Sequence, residues 1–496
     1  MTIPFELLEC VGFWSRHASQ RGAVRANGVE WSYADLFGQT MGVSQSLQGV
    51  PSGRLAVLAR SKRDTALGVL GALASGCSAI VLNPHLPIEY LEQCLEQANP
   101  SALVFGQVDR ATWSTLSRCS TALLRLPAFE IPVANPAPAT GHSLYEVRGE
   151  SEWGILYSSG STADPKGIER DYESMQTEFI GWCLELGLSP RTRFYIARPV
   201  FYTGGLVLSM ATLLAGGCII VNDLKDASID DLVADILMEA RNELIDWVFL
   251  VPDQVRTLLR SPLASRLRGL IRTVLVMGAP ISGREKQALS QALACGVIES
   301  WGNSESLGTI TDSEMLVECP DSVGRPFIGD TMLIVDDNGD SCAPGVIGRI
   351  AGGEAAGFTR YTKRPQETAQ ARRGGLIISE DLGWIDDVGR LFVAGRLQER
   401  LEYAGGSVFL PGLEEALRRA GLDVPFCLAK PEQPESNGVG LLYEEGGLSV
   451  TEVERCAGAA DLEVPVIRIR ATRTLPQTAS GKVDRAVAAR LLWKEQ

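Results

Sequence analysis

Short apolar runs alternate with amphipathic stretches over the first two thirds of the chain. The apolar runs are rich in β-branched residues and have the length of a buried strand. Between them lie segments with helical periodicity, for example 86–98 and 229–244. Parallel strands need long crossover connections, which are usually helical, so this alternation predicts parallel sheets covered by helices. The clearest strand runs begin at Arg54, Ala79, Ala102, Trp247 and Thr273.

The pattern changes after Gly339, where strands become shorter and tight turns such as 336–340 and 386–390 appear. A stretch rich in proline and alanine at 133–142 predicts a surface connection between two subdomains. A second boundary is expected near Gly395-Arg396. We therefore expect an N-terminal body over 1–396 and a small α+β domain over 397–496.

The charge balance excludes one broad class of function. Of 496 residues, 46 are Lys or Arg and 60 are Asp or Glu, a formal charge of −14. Nucleic-acid binding depends on clustered cations, so we expect no nucleic-acid partner. The 45% hydrophobic and 21% charged content is that of a globular protein.

Two further patterns bear on compartment and metal content. The longest apolar run, 205–221, is interrupted by polar residues and glycines, so it predicts a buried helix and strand rather than a membrane span. The 11 cysteines contain no Cys-x-x-Cys pair, and there are only three histidines. We expect reduced thiols, no zinc site built from histidines and a cytoplasmic location without membrane contact.

The strongest local motif lies between Tyr157 and Gly167. An apolar strand leads into a loop of small and hydroxyl residues that ends in Pro165-Lys166-Gly167, and a helical pattern is expected from Ile168 to Leu186. Such a loop can direct backbone N–H groups toward phosphates while Lys166 adds positive charge. The alternative is a flexible connector, which the closing Pro-Lys-Gly disfavours. The predicted phosphate contacts are Ser158, Ser159, Gly160, Ser161, Thr162 and Lys166.

This loop resembles that of the adenylate-forming superfamily, which includes acyl- and aryl-CoA synthetases, peptide-synthetase adenylation domains and luciferases. Ser158 and Ala163 are small-for-small departures from the family pattern. Further motifs follow in the family's order. Gly278-Ala279-Pro280 resembles the turn beside adenine, and Trp301-Gly302-Asn303-Ser304-Glu305 resembles the motif after it.

The resemblance implies roles for these residues. Trp301 would stack on adenine, the Ser304 hydroxyl would contact the α-phosphate, and Glu305 would hold Mg²⁺. The alternative for Trp301 is simple core packing.

The C-terminal third continues the resemblance. Asp381, in Ser379-Glu380-Asp381-Leu382-Gly383, would bind the ribose hydroxyls, and Arg396 would contact ribose or phosphate. In isolation they would be a turn residue and a surface cation. Gln398 occupies the hinge position. Lys482, in the signature 475–485, would meet the substrate carboxylate and the α-phosphate.

The resemblance covers almost the whole chain and implies both fold and reaction. The fold is α/β, with two α/β subdomains, a β-rich subdomain and a small mobile α+β C-terminal domain. A carboxylate attacks ATP to give acyl-AMP and pyrophosphate, with Mg²⁺, Lys166, Glu305 and Lys482 as the catalytic set. The small domain then rotates, and a nucleophile takes the acyl group.

The identity of the acid is constrained by the stretch 199–206, which resembles the acyl-pocket segment of acyl- and aryl-CoA synthetases. Tyr202, Gly204 and Gly205 are the predicted pocket residues, although a tyrosine here is also an ordinary core residue. The Asp typical of relatives that activate α-amino acids is missing. An aryl or short acyl acid is therefore expected.

The acceptor stays open. CoA is the main expectation, but Glu402 stands where a lysine is common, and the segment after it fits the family pattern only with a shift. A carrier-protein thiol or an amine is the alternative. A catalytically silent nucleotide-binding relative is a remote third, disfavoured by the presence of Lys166, Glu305, Asp381, Arg396 and Lys482.

Overall fold

The computed structural model describes residues 6–106, 116, 122–125, 151–157, 165–223, 228–305, 307–328, 330–353, 357–403, 405–431, 438–445, 448–477 and 483–493. The loop 158–164, the connection predicted at 133–142 and Lys482 lie outside these residues. The chain divides into two compact units. The larger comprises 1–158, 164–332 and 352–377, and the smaller comprises 159–163, 333–351 and 378–496.

The strands and helices are numbered along the chain. The strands are β1 (Gly22–Ala26), β2 (Val29–Ser32), β3 (Arg54–Leu58), β4 (Ser78–Leu82), β5 (Ala102–Phe105), β6 (Ala122–Arg125), β7 (Glu152–Tyr157), β8 (Gly167–Asp171), β9 (Arg193–Ile196), β10 (Cys218–Val221), β11 (Ile245–Leu250), β12 (Ile271–Met277), β13 (Gly296–Gly302), β14 (Gly308–Ile310), β15 (Arg325–Pro326), β16 (Met332–Val335), β17 (Gly348–Gly353), β18 (Arg360–Tyr361), β19 (Arg372–Arg373), β20 (Leu376–Ile385), β21 (Leu391–Arg396), β22 (Arg400–Tyr403), β23 (Gly406–Phe409), β24 (Phe426–Ala429), β25 (Val439–Glu444) and β26 (Val466–Thr472). The α-helices are α1 (Leu7–His17), α2 (Tyr33–Ser46), α3 (Lys62–Ala74), α4 (Ile88–Ala98), α5 (Tyr172–Glu185), α6 (Thr203–Leu214), α7 (Ile229–Glu239), α8 (Pro252–Arg260), α9 (Gly283–Leu293), α10 (Met315–Glu318), α11 (Pro365–Ala371), α12 (Leu410–Arg419), α13 (Val450–Ala459) and α14 (Arg485–Trp493).

Two large sheets organise the larger unit. One has the order β15-β14-β13-β12-β11-β9-β10-β1-β2 and the other β18-β8-β7-β4-β3-β5-β6. Neighbours among β13, β12, β11, β9, β10 and β1 run parallel, as do those among β7, β4, β3, β5 and β6. Antiparallel strands occupy the edges. The expectation of parallel, helix-covered sheets is confirmed for the centre of each sheet.

The apolar run 205–221 forms a buried helix and a buried strand, as predicted. Every residue from Gly205 to Leu213 in α6 is buried, and β10 follows it. A helix that is apolar on all sides is typical of a protein core. It packs in the main cluster with α1, α2 and α3. Of the described helices, none has both the length and the apolar character required to cross a membrane.

The helix predicted from Ile168 to Leu186 is wrong at its start. Residues 167–171 form β8, which pairs with β7 on one side and β18 on the other. The helix begins only at Tyr172, because the Asp171 side chain accepts a hydrogen bond from the Ser174 backbone N–H (2.7 Å) and caps it. Pairing with two flanking strands thus overrides the helical pattern of residues 168–171.

The remaining sheets are smaller. One joins β16, β17, β20 and β19 in that order, with β21 beside β20. Its connections are the tight turns predicted from 336–340 and 386–390, each stabilised by an aspartate side chain that accepts backbone N–H groups. Beyond Arg396 come the hairpin β22-β23 and the sheet β24-β25-β26 with three helices. This is the α+β composition expected for the C-terminal segment.

Candidate active site

The carboxyl ends of two neighbouring parallel strands carry the predicted adenine-side residues. β12 ends at Met277, which lies opposite Ser300 of β13. The exposed turn Gly278-Ala279-Pro280 follows directly. Gly278 has a φ of 105°, in the region that favours glycine. In open α/β sheets, ligands bind at the carboxyl ends of the strands, so this edge is the expected location for a nucleotide.

Trp301 and Gly302 form the end of β13. The indole is partly buried and packs against an apolar cluster, while Gly302 is exposed. The core-packing interpretation therefore describes part of this side chain, and its stacking on adenine stays a prediction. The cluster contains Ile168, Leu307, Phe358, Tyr361 and Ile377.

Lys166 stands at the closing end of the predicted phosphate loop. Its Nζ lies 3.8 Å from the centroid of the Tyr361 ring and 4.0 Å from Oε2 of Glu367. The carbonyl of the preceding Pro165 accepts hydrogen bonds from Gln97 Nε2 (3.1 Å) and from the Arg364 guanidinium (3.0 Å). The backbone that delivers the ammonium group is therefore held from two sides.

Glu305 contacts the same tyrosine through the phenolic hydroxyl. The Tyr361 hydroxyl donates to Oε1 of Glu305 at 2.8 Å. The Glu305 backbone carbonyl accepts the Phe358 N–H at 3.2 Å. Lys166 and Glu305, predicted from motifs far apart in the chain, are thus brought together on one phenol.

Ser304 contacts the segment that is predicted to line the acid pocket. Its hydroxyl lies 3.0 Å from that of Thr203, the first residue of α6. The neighbouring Tyr202 is partly buried, and burial raises the pKa of its hydroxyl. Asn83 Nδ2 donates to that hydroxyl at 3.3 Å, and the Arg198 guanidinium lies 5.1 Å from the ring centroid. The tyrosine is therefore anchored in place.

Space is restricted at the two glycines after Thr203, and at Gly205 it excludes any side chain. A Cβ on Gly205 would lie 2.3 Å from the Pro199 carbonyl oxygen, a backbone atom that cannot move aside easily. A Cβ on Gly204 would lie 2.7 Å from Cε of Met277 and 3.4 Å from the Phe249 ring. Gly204 therefore faces Met277, the last residue of β12, and Phe249 of β11. Met277 immediately precedes the turn Gly278-Ala279-Pro280.

In the smaller unit, Asp381 and Arg396 face each other on adjacent strands. They are register partners in β20 and β21, and Arg396 Nε lies 3.4 Å from Oδ1 of Asp381. The Ser379 hydroxyl lies 3.2 Å from Oδ2 of Asp381. An acceptor and a cation are thus presented side by side, the pair predicted for ribose and phosphate.

The predicted hinge follows immediately. Gln398 is exposed in a single 3-10 turn, Leu397–Glu399. Glu402 is 68% exposed and lies 2.7 Å from the Arg400 guanidinium. The acidic residue at this position is therefore available to solvent and already neutralised in part by its neighbour.

Lys482 and the predicted contacts Ser158, Ser159, Gly160, Ser161 and Thr162 lie outside the described residues. The residues that flank Lys482 are well anchored. Gln477 and Val483 form an isolated antiparallel bridge, and Asp484 N–H donates to the Pro476 carbonyl at 2.8 Å. Arg485 binds the buried Glu414 at 2.5 Å and Glu399 at 2.9 Å.

Sequence reasoning did not find Tyr361, Arg364, Glu367 or Thr203. Each is an ordinary residue of a short strand, a connection or a helix start, and nothing in its local pattern distinguishes it. Only a pairing between distant segments, such as β18 with β8, places these side chains against the motif residues.

Comparison with known proteins identifies the family. The profile of the family "AMP-binding enzyme" matches residues 13–361, well over half of the chain. The feruloyl-CoA synthase of an Amycolatopsis species is 24% identical over 492 residues, covering 95% of this chain and 97% of the relative. The fatty acid–[acyl-carrier-protein] ligase ScoC of Streptomyces coeruleorubidus is 22% identical, covering 96% and 91%.

Among solved structures, the amide bond synthetase McbA from Marinactinospora thermotolerans superposes with a TM-score of 0.82 at 23% identity, covering 97% of this chain and 99% of that one. The likeness shows that the two proteins share a fold over their whole length. Together with the motif order and the family match, it confirms the expected superfamily and α/β architecture. The chain belongs to the AMP-binding enzyme family of adenylate-forming ligases.

Proposed function

We propose that the chain activates an aryl or short acyl carboxylic acid with ATP, forming acyl-AMP and pyrophosphate, and passes the acyl group to CoA. The observation that carries the proposal is the meeting of Lys166 and Glu305 on Tyr361, at the closing end of a phosphate-type loop. It gives the larger unit a cation for phosphate and a carboxylate for a metal ion in one place. The full-length similarity to a feruloyl-CoA synthase supports an aryl acid.

The first step joins two anions, so the site must neutralise charge and align the reactants. Lys166 and the backbone N–H groups of its loop would hold the phosphates. Ser304 would donate to the α-phosphate, while Lys482 would meet both that phosphate and the substrate carboxylate. The carboxylate oxygen then attacks the α-phosphorus and pyrophosphate leaves, without a covalent enzyme intermediate.

Glu305 fits the requirements of a magnesium ligand. Mg²⁺ is usually held by one or two carboxylates together with substrate phosphates. A carboxylate offers about four lone-pair sites, so the hydrogen bond from Tyr361 leaves further acceptor capacity on Glu305. When bound, the ion would neutralise charge on the phosphates.

On the acid side, the tight packing at Gly204 and Gly205 and the anchored Tyr202 favour a flat or short acyl group. Met277 and Phe249 add an apolar wall next to Gly204. This supports the aryl or short acyl class.

The second candidate keeps the activation step and changes the acceptor to a carrier-protein thiol or an amine. It is favoured by Glu402, an exposed acid where relatives commonly have lysine. A negative charge there disfavours the anionic CoA more than it disfavours a neutral or cationic amine.

The test is pyrophosphate release with Mg·ATP across aromatic, aliphatic and α-amino acids, each with and without CoA. Release with an aryl or short acyl acid and a thioester detected by mass spectrometry supports the proposal. Release of pyrophosphate with acyl-AMP but no thioester supports the second candidate, which amine and carrier-protein additions then divide. ATP binding without release for any acid would favour the silent relative.

A further inference from the structure

Residues 360–368, here named the strap, pair with five consecutive residues at the closing end of the phosphate loop. The strap consists of β18, the connection 362–364 and the first turn of α11. Each of the residues 165–169 contacts at least one residue of the strap. Arg364 donates to the Pro165 carbonyl (3.0 Å), and Tyr361 and Glu367 contact the Lys166 ammonium group. The Thr362 N–H donates to the Gly167 carbonyl (2.9 Å), and Tyr361 lies opposite Ile168 in the strand pair. Arg360 Nε forms an ion pair with Glu169 (2.7 Å).

The strap is itself rigidly held. Lys363 adopts a left-handed φ of 57°, and its Nζ donates to the Glu96 carbonyl at 3.0 Å. Arg364 also binds Glu367 at 2.7 Å, which links the connection to α11. A non-glycine residue in this backbone region persists only when its surroundings fix it. The strap therefore provides a defined frame rather than a loose cover.

Tyr361 is the strap residue that reaches both predicted functional charges. Its ring face receives the Lys166 ammonium at 3.8 Å, and its hydroxyl donates to Glu305 at 2.8 Å. The side chain is 4% exposed and packs in the apolar cluster with Phe358 and Trp301, so its own orientation is fixed. One rigid phenol thus sets the position of a cation and an anion at once.

We propose that Tyr361 is a positioning residue of the nucleotide site, with two separable functions. The hydroxyl orients the Glu305 carboxylate toward the metal ion, and the ring seats Lys166 for the phosphates. The inference rests on the proposed function. Hydrogen-bond partners that orient a metal ligand typically contribute 10- to 100-fold to metal affinity, so a neutral tyrosine can have a large effect without touching the substrate.

The experiment measures how ATP stabilises the whole chain against thermal unfolding while Mg²⁺ is titrated, with no acid present, so that turnover plays no part. Tyr361→Phe keeps the ring and loses the hydroxyl. We expect it to raise the Mg²⁺ concentration for half-maximal stabilisation about tenfold. The ATP affinity at saturating Mg²⁺ should stay close to the wild-type value.

Tyr361→Leu removes the ring as well. It should raise the Mg²⁺ midpoint equally and should also weaken ATP binding at saturating Mg²⁺ by roughly threefold, the loss of one exposed cation–π contact. Tyr33→Phe is the matched control, because it removes a buried hydroxyl that binds the Leu213 and Gly217 carbonyls, away from this site. It should lower the thermal midpoint and leave the Mg²⁺ midpoint unchanged.

The outcomes are distinguishable. If the wild type responds to Mg·ATP but Tyr361→Phe has the same Mg²⁺ midpoint, the positioning role is refuted and the proposed function survives. If Tyr361→Phe still shifts the midpoint in a Glu305→Ala background, which has no side-chain acceptor for the hydroxyl, the hydroxyl does not act through Glu305, and the inference is again refuted. A wild-type chain that ATP does not stabilise at any Mg²⁺ concentration overturns the proposed function and this inference with it.

Discussion

Two clusters of charged residues, one in each unit, differ in how a cation and a carboxylate are held: through a shared tyrosine in one, and by direct hydrogen bonds in the other. In the larger unit, Lys166 and Glu305 contact the ring and the hydroxyl of Tyr361. In the smaller unit, Arg485 binds Glu414 directly through two hydrogen bonds, at 2.5 and 3.0 Å. The two cations are similarly exposed, Arg485 at 24% and Lys166 at 26%, so the clusters differ in how the charges are paired.

The difference separates charges that hold structure from charges that are available to a ligand. A bidentate pair satisfies both partners, and removing the arginine leaves the buried carboxylate uncompensated. A cation over an aromatic ring is attracted more weakly and is still able to bind phosphate. Direct pairing stabilises the fold. Contact through a neutral phenol positions the two charges and leaves each able to bind a ligand.

The pKa values of two buried carboxylates shift in opposite directions, and the direction follows the number of cations and donors that contact each one. Burial opposes the charge on Glu414, but Arg485, Arg418 and the Leu428 N–H outweigh it and lower its pKa. Glu299 is equally buried and has one direct cation, Lys286 at 2.5 Å. There burial dominates and raises the pKa of Glu299 to about 7.

The largest effect is expected from breaking the direct pair. Arg485→Ala leaves the Glu414 carboxylate buried and uncompensated, so the free energy of unfolding should fall by about 3–5 kcal/mol, measured by urea denaturation. Arg490→Ala, at an exposed position of the same helix, is the control and should change it by less than about 0.5 kcal/mol. Equal stability of the two variants would contradict the structural role assigned to the pair.

The next effect concerns a charge that is predicted to meet the ligand. Lys482→Ala should reduce acyl-AMP formation by about 10²- to 10³-fold, the cost of removing one group that stabilises developing charge. ATP binding should be largely preserved, because the triphosphate keeps its other contacts. Pyrophosphate release in single-turnover assays and ATP binding by calorimetry measure the two separately. Normal acyl-AMP formation would refute the role of Lys482.

Asp381→Ala should have a smaller effect, restricted to nucleotide affinity. Loss of a charge-assisted hydrogen bond to the ribose should raise the dissociation constant of ATP by about tenfold. Ser379→Ala removes the hydroxyl that donates to the Asp381 carboxylate and accepts the Asp381 N–H, and it should weaken ATP binding less than Asp381→Ala does. An unchanged dissociation constant in Asp381→Ala would show that this carboxylate does not contact the ribose.

A pH series sharpens the contrast between the two buried carboxylates. The folded pKa of Glu299 is about 7, above its ordinary value of 4.5, so the folded state binds the extra proton and stability falls as pH rises from about 4.5 to 7. Glu299→Gln should flatten that fall. The folded pKa of Glu414 is lowered, so its contribution is present above about pH 4.5 and is lost on acidification. Denaturation midpoints from about pH 3 to about pH 8 measure both, and an unaltered slope in Glu299→Gln would be contrary to expectation.

The most restricted effect concerns the acid pocket, because it depends on the size of the acid. Gly204→Ala places a methyl group 2.7 Å from the flexible end of Met277, which can shift but narrows the space beside it. Activity should fall by about 10-fold for bulky aryl acids and less for short ones, a difference of one methyl-sized group. Gly181→Ala in α5 adds a methyl with no neighbour within 4 Å and is the control. Equal losses for all acids would place Gly204 outside the pocket.

Much of the architecture could be predicted from local pattern. The apolar runs at Arg54, Ala79 and Thr273 became β3, β4 and β12, because a continuous apolar strand is stable only when covered on both faces. The helix predicted from Ile168 failed at its first turn. There, pairing with β7 and β18 contributes more than local propensity, and those strands come from distant parts of the chain.

By itself, the sequence determined the order of the chemical motifs and the positions of Lys166, Glu305, Asp381 and Arg396 along the chain, because loop chemistry and spacing are local properties. The resemblance of those motifs to a known family implied the superfamily. Only the tertiary structure decided that Tyr361 joins Lys166 to Glu305 and that Arg485 pairs with Glu414. Such contacts depend on strand register and burial across long separations. No local pattern encodes them.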